Sequence, residues 1–410
     1  MNNALRIDAE RIARGAIDAV RPDGAVRRAL ESVTLTGNIY LVAVGKAAWQ
    51  MASAAVKYLP FSVKDGIVLT KYGHVMEPLP GIACLEAGHP VPDENSFAGT
   101  RQILEMTKGL SADDTVLFLL SGGGSALFEE PLVEPELLQE VTQALLARGA
   151  DIGRINTIRK RLSAVKGGRF AQWCAPAKVE AVILSDVLGD PVDLIASGPA
   201  SADPSTSEDS KTVAREYLPE YYETLLPLLE AETPKSLSNV HTQIIGSVRQ
   251  LCVAAEHLAR ELGYEPVFLT DRMECEARNA GRELGKLLAR HSGDKKRVAY
   301  LAGGETVVHV TGTGLGGRNQ ELALAAAEAL SGIPNAAIIS VGSDGTDGPT
   351  GAAGGYADGD TLAELKAAGI DYHVSLTNND AYHALDAIGN LIFTGPTGTN
   401  VNDITIGLIG

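Results

Sequence analysis

The stretch NIYLVAVG at residues 38–45 is apolar at almost every consecutive position. Consecutive rather than alternating apolar residues mark a strand covered on both faces, as in a parallel sheet. The stretch ends in Gly45-Lys46 and passes into a helical pattern over 47–57. The same unit recurs outward along the chain. Strands are predicted at 66–70, 115–123, 180–187, 242–248, 265–270, 298–304, 336–345 and 405–410. Helices are predicted at 96–109, 134–147, 154–166, 247–262, 276–291 and 318–331. Alternating strands and helices predict layered α/β domains. Residues 200–240, rich in Pro, Ser, Thr and acid, break the rhythm, so the reading places a boundary near 238, with domains 1–238 and 239–410.

The chain has 410 residues, 45% hydrophobic and 21% charged, which excludes a disordered or fibrous protein. With 35 Lys+Arg against 51 Asp+Glu the net charge is −16, which argues against nucleic-acid and anionic-membrane partners. It leaves room for an anionic small substrate held by the local field of a cleft. Cys84, Cys174, Cys252 and Cys275 form no C-x-x-C pair, and no apolar run reaches the length of a membrane span. A cytoplasmic protein with core thiols is expected. The sequence does not set the oligomeric state, and a homodimer is compatible with it.

Glycine is over-used, 44 of 410 residues, where an average chain carries about 7%. The surplus gathers at predicted strand ends: Gly45, SGGGS (121–125), GG (303–304), TGTGLGG (311–317) and 342–355. Ligands of open α/β sheets bind beyond the carboxyl ends of strands, where bare amides and a helix start favour an anion. The loop residues Ser121, Gly122, Gly123, Gly124 and Ser125, with Gly303, Glu305, Gly314, Gly316 and Gly317, are therefore candidate substrate- or nucleotide-binding positions.

Gly312, Gly314 and Gly317 satisfy G-x-G-x-x-G between strand-like VVHV and a helix, which admits a nicotinamide enzyme. Arg318 after the last glycine suits a phosphate better. Lys46 is either a solvated helix-start lysine or the partner of an anion, since a cation at a helix N-terminus is otherwise unfavourable. SDVLGDPVDLIASGP (185–199) places Asp186, Asp190 and Asp193 after a strand, as Mg²⁺ ligands or as turn and cap residues. Asp344 stands in a similar setting. His89 in GHPVPDENS is a further candidate substrate- or nucleotide-binding residue, able to orient a hydroxyl or act as a base, or else a loop-stabilising residue. The basic run with Arg154, Arg159, Lys160, Arg161 and Lys166 reads mainly as a solvated face, part of which could border an anionic substrate.

Together VGKAA (44–48), GHPVPDENS (88–96), LSGGGSAL (120–127), INTIRKRLSAVKGG (155–168), SDVLGDPVDLIASGP (185–199), GGETVV (303–308), GTGLGGRNQELAL (312–324) and SDGTDGPTGAAGG (343–355) resemble the MOFRL-type, class II glycerate 2-kinase family, in its motif order. The resemblance spans nearly the whole chain. It implies a Rossmann-like, mainly parallel N-terminal domain, a second α/β domain with a mixed sheet, and an active site in the cleft between them. It also implies phosphorylation of the 2-hydroxyl of D-glycerate by ATP with Mg²⁺, giving 2-phosphoglycerate and ADP. By motif match the catalytic pair falls on Lys46 and Arg318, and Asp186, Asp190 and Asp344 are the candidate metal ligands. The alternatives are an NAD(P)H-dependent hydroxypyruvate reductase, resting on the glycine fingerprint, and a nucleotide-sensing module without turnover.

Overall fold

In the computed structural model, which describes residues 3–293 and 296–410, the opening stretch forms β1 (Ile39–Val44) at the centre of a six-stranded sheet. The other strands are β2 (Asp65–Lys71), β3 (Ala83–Ala87), β4 (Thr115–Leu120), β5 (Lys178–Leu184) and β6 (Val240–Gly246), in the order β3-β2-β1-β4-β5-β6. β1 pairs in parallel with both β2 and β4, and β2–β3 and β4–β5 are parallel too. This is the doubly wound order, with the switch point between β1 and β4. Every residue of β4 is buried, and Phe118, Phe128 and Phe170 pack their rings within 5.0–6.0 Å of each other beneath it.

The second sheet holds β7 (Glu265–Met273), β8 (Val298–Gly304), β9 (Ala336–Gly342), β10 (Gly354–Asp358), β11 (Leu391–Ile392) and β12 (Asp403–Ile409). Their order is β11-β10-β9-β12-β8-β7. β12 runs antiparallel to both β8 and β9, whereas β7 and β8 are parallel, so the sheet is mixed as expected. The expected α/β class and the two-sheet architecture both hold.

The chain divides into a parallel unit of residues 22–245 and a mixed unit of residues 3–21 with 246–410. The division differs from the expected break near 238 in two places. β6 completes the edge of the parallel sheet beside β5, with Val179 N donating to Asn239 O at 2.8 Å, so the break follows β6. The helix Asn3–Ala19 joins the mixed unit, where Asp8 accepts from Tyr264 Oη and Arg297 Nη2, each at 2.8 Å. Residues 200–240 belong to the parallel unit. They form helices Ser207–Tyr217 and Tyr222–Glu230, whose Val213, Leu225 and Leu229 pack with Ile155 and Ile158.

Candidate active site

The residues after β1 are held from three sides. Gly45 has φ of 119°, in the region glycine favours, and a Cβ there would lie 2.3 Å from Ser121 Oγ. Lys46 N donates to Gly122 O at 2.8 Å, and Ala47 N donates to Ser121 Oγ at 3.0 Å. Thr70 Oγ1 donates to Gly45 O at 2.9 Å, and the His74 ring lies 2.9 Å from Lys46 O. The backbone of Lys46 is thus fixed at the switch point while its ammonium has no carboxylate within 4.0 Å in its own unit. Ser121, a candidate binding position of the sequence, is buried here and clamps this turn through its Oγ.

Gly122, Gly123 and Gly124 open the loop after β4. A Cβ on Gly122 would lie 1.9 Å from Asp186 Oδ2, and one on Gly124 would lie 2.7 Å from Ala196 Cβ. A Cβ on Gly123 would lie 3.0 Å from Lys46 Cγ and 3.1 Å from His89 Nε2. Lys46, His89 and Asp186 therefore stand around one bare stretch of backbone. Burial pushes the His89 pKa below the usual histidine range, and the charges of Lys46, Lys71 and His74 push it the same way. A neutral His89 among cations can accept a proton or a hydroxyl hydrogen bond.

A cavity of about 470 Å³ opens here, walled by His89, Gly123, Ser125, Asn156, Arg159 and Asp186, with Val91, Leu138 and Leu146 on an apolar side. The size suits a ligand larger than a three-carbon acid alone. Ser125 Oγ is 3.2 Å from Ser197 Oγ, which donates to Asn156 Oδ1 at 2.7 Å.

The basic run is only partly a solvated face. Lys160, Arg161 and Lys166 are buried and ion-paired, Lys160 with Asp193 and Asp203, Arg161 with Glu232, and Lys166 with Glu129. Burial of a charge is tolerated only with such partners. Asp193 is thereby committed to Lys160. Asp186 and Asp190 follow β5 in the parallel unit, but Asp344 belongs to the mixed unit, where its Oδ1 accepts from Thr346 N at 2.9 Å in a turn. Among the described residues, no three His, Cys, Asp or Glu side chains form a metal cluster.

In the mixed unit, Arg318 opens the helix Arg318–Leu330. Its Nη2 donates to Asp403 Oδ1 at 2.9 Å and its Nη1 to Glu305 Oε1 at 2.9 Å. Burial works against the guanidinium charge, but the Asp403 hydrogen bond and the charges of Asp403, Glu305 and Asp347 outweigh it and raise the pKa. Burial also raises the Asp403 carboxyl, against the pull of Arg318.

The glycine fingerprint has another use. VVHV forms no strand, so Gly312 stands eight residues past the end of β8. Thr311 N and Gly312 N donate to Asn379 Oδ1, Thr313 N to Asn378 Oδ1, Gly314 N to Asn378 O, and Leu315 N to Asp380 Oδ1. The helix start is filled by Asp347, whose carboxylate accepts from Asn319 N at 3.1 Å and Gln320 N at 2.9 Å. The Thr311–Leu315 amides and those of Asn319 and Gln320 are thus engaged within the unit. Gly314 and Gly317 are crowded by Asp380 and Asp347, and Gly316 lies against Ala381 and under Gly348. Gly303 is buried within β8, where a Cβ would lie 2.5 Å from Val248 Cγ2, so it serves packing. Glu305 is half-exposed and holds Arg318.

A doubly wound sheet that carries a backbone-fixed lysine and a glycine loop at its switch point has the architecture in which open α/β sheets bind ligands. A family profile described as a domain of unknown function (DUF4147) matches residues 8–228, and that of the MOFRL family matches 298–403. The chain is 53% identical over 404 residues to a D-glycerate 2-kinase of Thermotoga maritima, covering 97% of each chain. A glycerate kinase crystal structure from that organism superposes with a TM-score of 0.96 at 52% identity, over 99% of this chain and 100% of that one. A relative from Agrobacterium vitis, 41% identical over 91% of this chain and 88% of its own, bears only a provisional hydroxypyruvate reductase name. The chain belongs to the MOFRL-type glycerate 2-kinase family.

Proposed function

We propose that the chain transfers the γ-phosphoryl group of ATP to the 2-hydroxyl of D-glycerate, giving 2-phosphoglycerate and ADP. The observation that carries this reading is Lys46, a backbone-fixed cation without a counter-charge in its unit, set at the switch point beside the bare Gly122–Gly124 backbone. Phosphoryl transfer asks the protein for positioning and positive charge rather than covalent chemistry. We assign Lys46 to the charge of the transferring group and His89 to the attacking hydroxyl, and Arg318, held by Asp403 and Glu305, keeps the catalytic role that its motif match implies. The family relation and the engagement of the Gly312 and Gly314 amides with Asn379 and Asn378 speak against the reductase reading.

Mg²⁺ fits the end of β5. Asp190 Oδ1 is buried without a hydrogen-bond partner, four residues beyond Asp186. Mg²⁺ takes one or two carboxylates and completes its shell with water and phosphate oxygens. Asp186 and Asp190 would hold it, and when bound it neutralises phosphate charge. Asp344 is outside this proposal. The four cysteines are unpaired, which supports a reducing, cytoplasmic setting, and among the described residues no helix is long and apolar enough to cross a membrane.

A coupled assay with D-glycerate, ATP and Mg²⁺ tests the reading. Enolase alone should consume the product. A requirement for phosphoglycerate mutase would reassign the phosphorylated oxygen, and NADH oxidation with hydroxypyruvate in place of ATP turnover would overturn the kinase.

A further inference from the structure

We propose that Arg159 is the anion-recognising residue of the parallel unit's cavity, receiving a substrate carboxylate or phosphate oxygen. The proposal rests on the kinase reading and adds to it a binding residue outside the family's catalytic pair.

Arg159 lies on the helix Ile152–Arg161, three residues after Asn156, and both line the cavity with Ser125 and Gly123. Its charged neighbours are all engaged. Lys160 has Asp193 and Asp203 at 3.1 Å, Arg161 has Glu232 at 3.2 Å, and Lys166 has Glu129 at 2.9 Å. Arg159 has no carboxylate within 4.0 Å and no side-chain hydrogen bond in its unit, although it is half-buried. Five N–H donors in a cavity wall without an acceptor are costly unless a ligand meets them.

The charges agree with this geometry. Lys166, Glu129 and Arg159 form a group with one excess positive charge, because the single charge of Glu129 is balanced by Lys166, which meets its Oε2 at 2.9 Å. Burial pulls the Arg159 pKa below its ordinary range, and Glu129, at longer reach, opposes that only in part. An anion in the cavity would restore the balance, and a planar guanidinium matches carboxylate and phosphate oxygens two at a time. Asn156 adds a second donor. Its Oδ1 is taken by Ser197, and its amide nitrogen makes no hydrogen bond in the unit. The cavity reaches Gly123 and His89, so an anion at Arg159 belongs to a ligand that also reaches the switch point.

Two anions of the reaction share this chemistry, the glycerate carboxylate and a nucleotide phosphate. Arg159→Gln and Arg159→Lys separate them. KM for each substrate is measured with the other saturating, and calorimetry follows binding of D-glycerate and of ADP separately. For the Gln variant one KM should rise about 10- to 100-fold, the range for losing hydrogen bonds to a charged group, with a smaller rise for Lys. A rise confined to glycerate assigns the carboxylate, and one confined to ATP assigns a phosphate. If both KM values and both dissociation constants stay within about twofold of wild type, the proposal fails. Equal losses of binding for both ligands with a lowered melting temperature in both variants would make Arg159 a packing residue and also overturn it. Absence of glycerate turnover in the wild type would count against the kinase reading alone, since ligand binding to the wild type and variants reads Arg159 without turnover.

Discussion

Lys46 N donates to the Gly122 carbonyl oxygen at 2.8 Å, which ties the turn after β1 to the glycine loop after β4. The lysine and the bare backbone it faces are thus one construction. A displacement of either loop moves the other, and positioning errors of an ångström can cost about 10²-fold in rate.

Lys46→Ala should lower kcat about 10³-fold with little loss of stability, because its ammonium is engaged with no carboxylate in its unit. Arg318→Ala should lower kcat by a similar factor and also cost about 3 kcal/mol, since it strands the buried Asp403. Single-turnover rates and thermal melts separate the two signatures. Near-wild-type turnover in either variant would remove that residue from the phosphoryl group.

Gly123→Ala places a methyl between Lys46 and His89 and forces a φ of 88° on a residue with a Cβ. The expected stability cost is about 1–2 kcal/mol. The expected loss in kcat is about 10²-fold, beyond what lowered stability explains. An alanine variant with wild-type kcat at a temperature where it is fully folded would contradict the crowding around this glycine.

His89 should titrate below about 6.5 in the free protein, because burial and the charges of Lys46, Lys71 and His74 disfavour its imidazolium. Inorganic phosphate or ADP offsets that positive charge, so its titration should move upward on binding. Histidine NMR resonances, assigned with a His89→Gln variant, read both states. An unmoved midpoint at saturating ADP would exclude His89 from the anion's neighbourhood.

Asp347 predicts an inverted pH dependence. Burial raises its carboxyl to about 6, against the backbone N–H groups of Gln320 and Asn319, with Asp403 adding to the rise. The folded state then holds a proton that the unfolded state, with its ordinary 3.8, releases earlier. Its contribution to stability is fully present below 3.8 and is lost as pH rises through about 6. Asp347→Asn should remove this component. Melting temperatures compared between wild type and variant from about pH 4 to 7 check the slope, and parallel curves would refute it.

The legible parts of the site share one property, locality. Gly45-Lys46 and Gly122–Gly124 stand directly after strands whose apolar runs announce them, so strand end, bare turn and charged residue could be read together. β10 was missed because GGYAD reads as more glycine loop, although Gly354 pairs with Val341 of β9. β3 was missed because ACLEA is short and only partly buried. The arginine of the cavity was hidden in a basic run, and only the partners of its neighbours set it apart.

Local composition and periodicity were enough for the α/β class and the strand-end glycines, and the motifs in their order carried the family resemblance. Which amides remained open was a matter of long-range packing. Asn378, Asn379 and Asp380 reach back to cover the 311–315 loop, and Asp347 fills the helix start at Asn319. Glu129, Asp193, Asp203 and Glu232 likewise neutralise three of the buried cations and leave Arg159 unmatched. A charge or an amide has functional meaning only after its partners are known, and those partners lie tens of residues away, brought into contact by the folded chain.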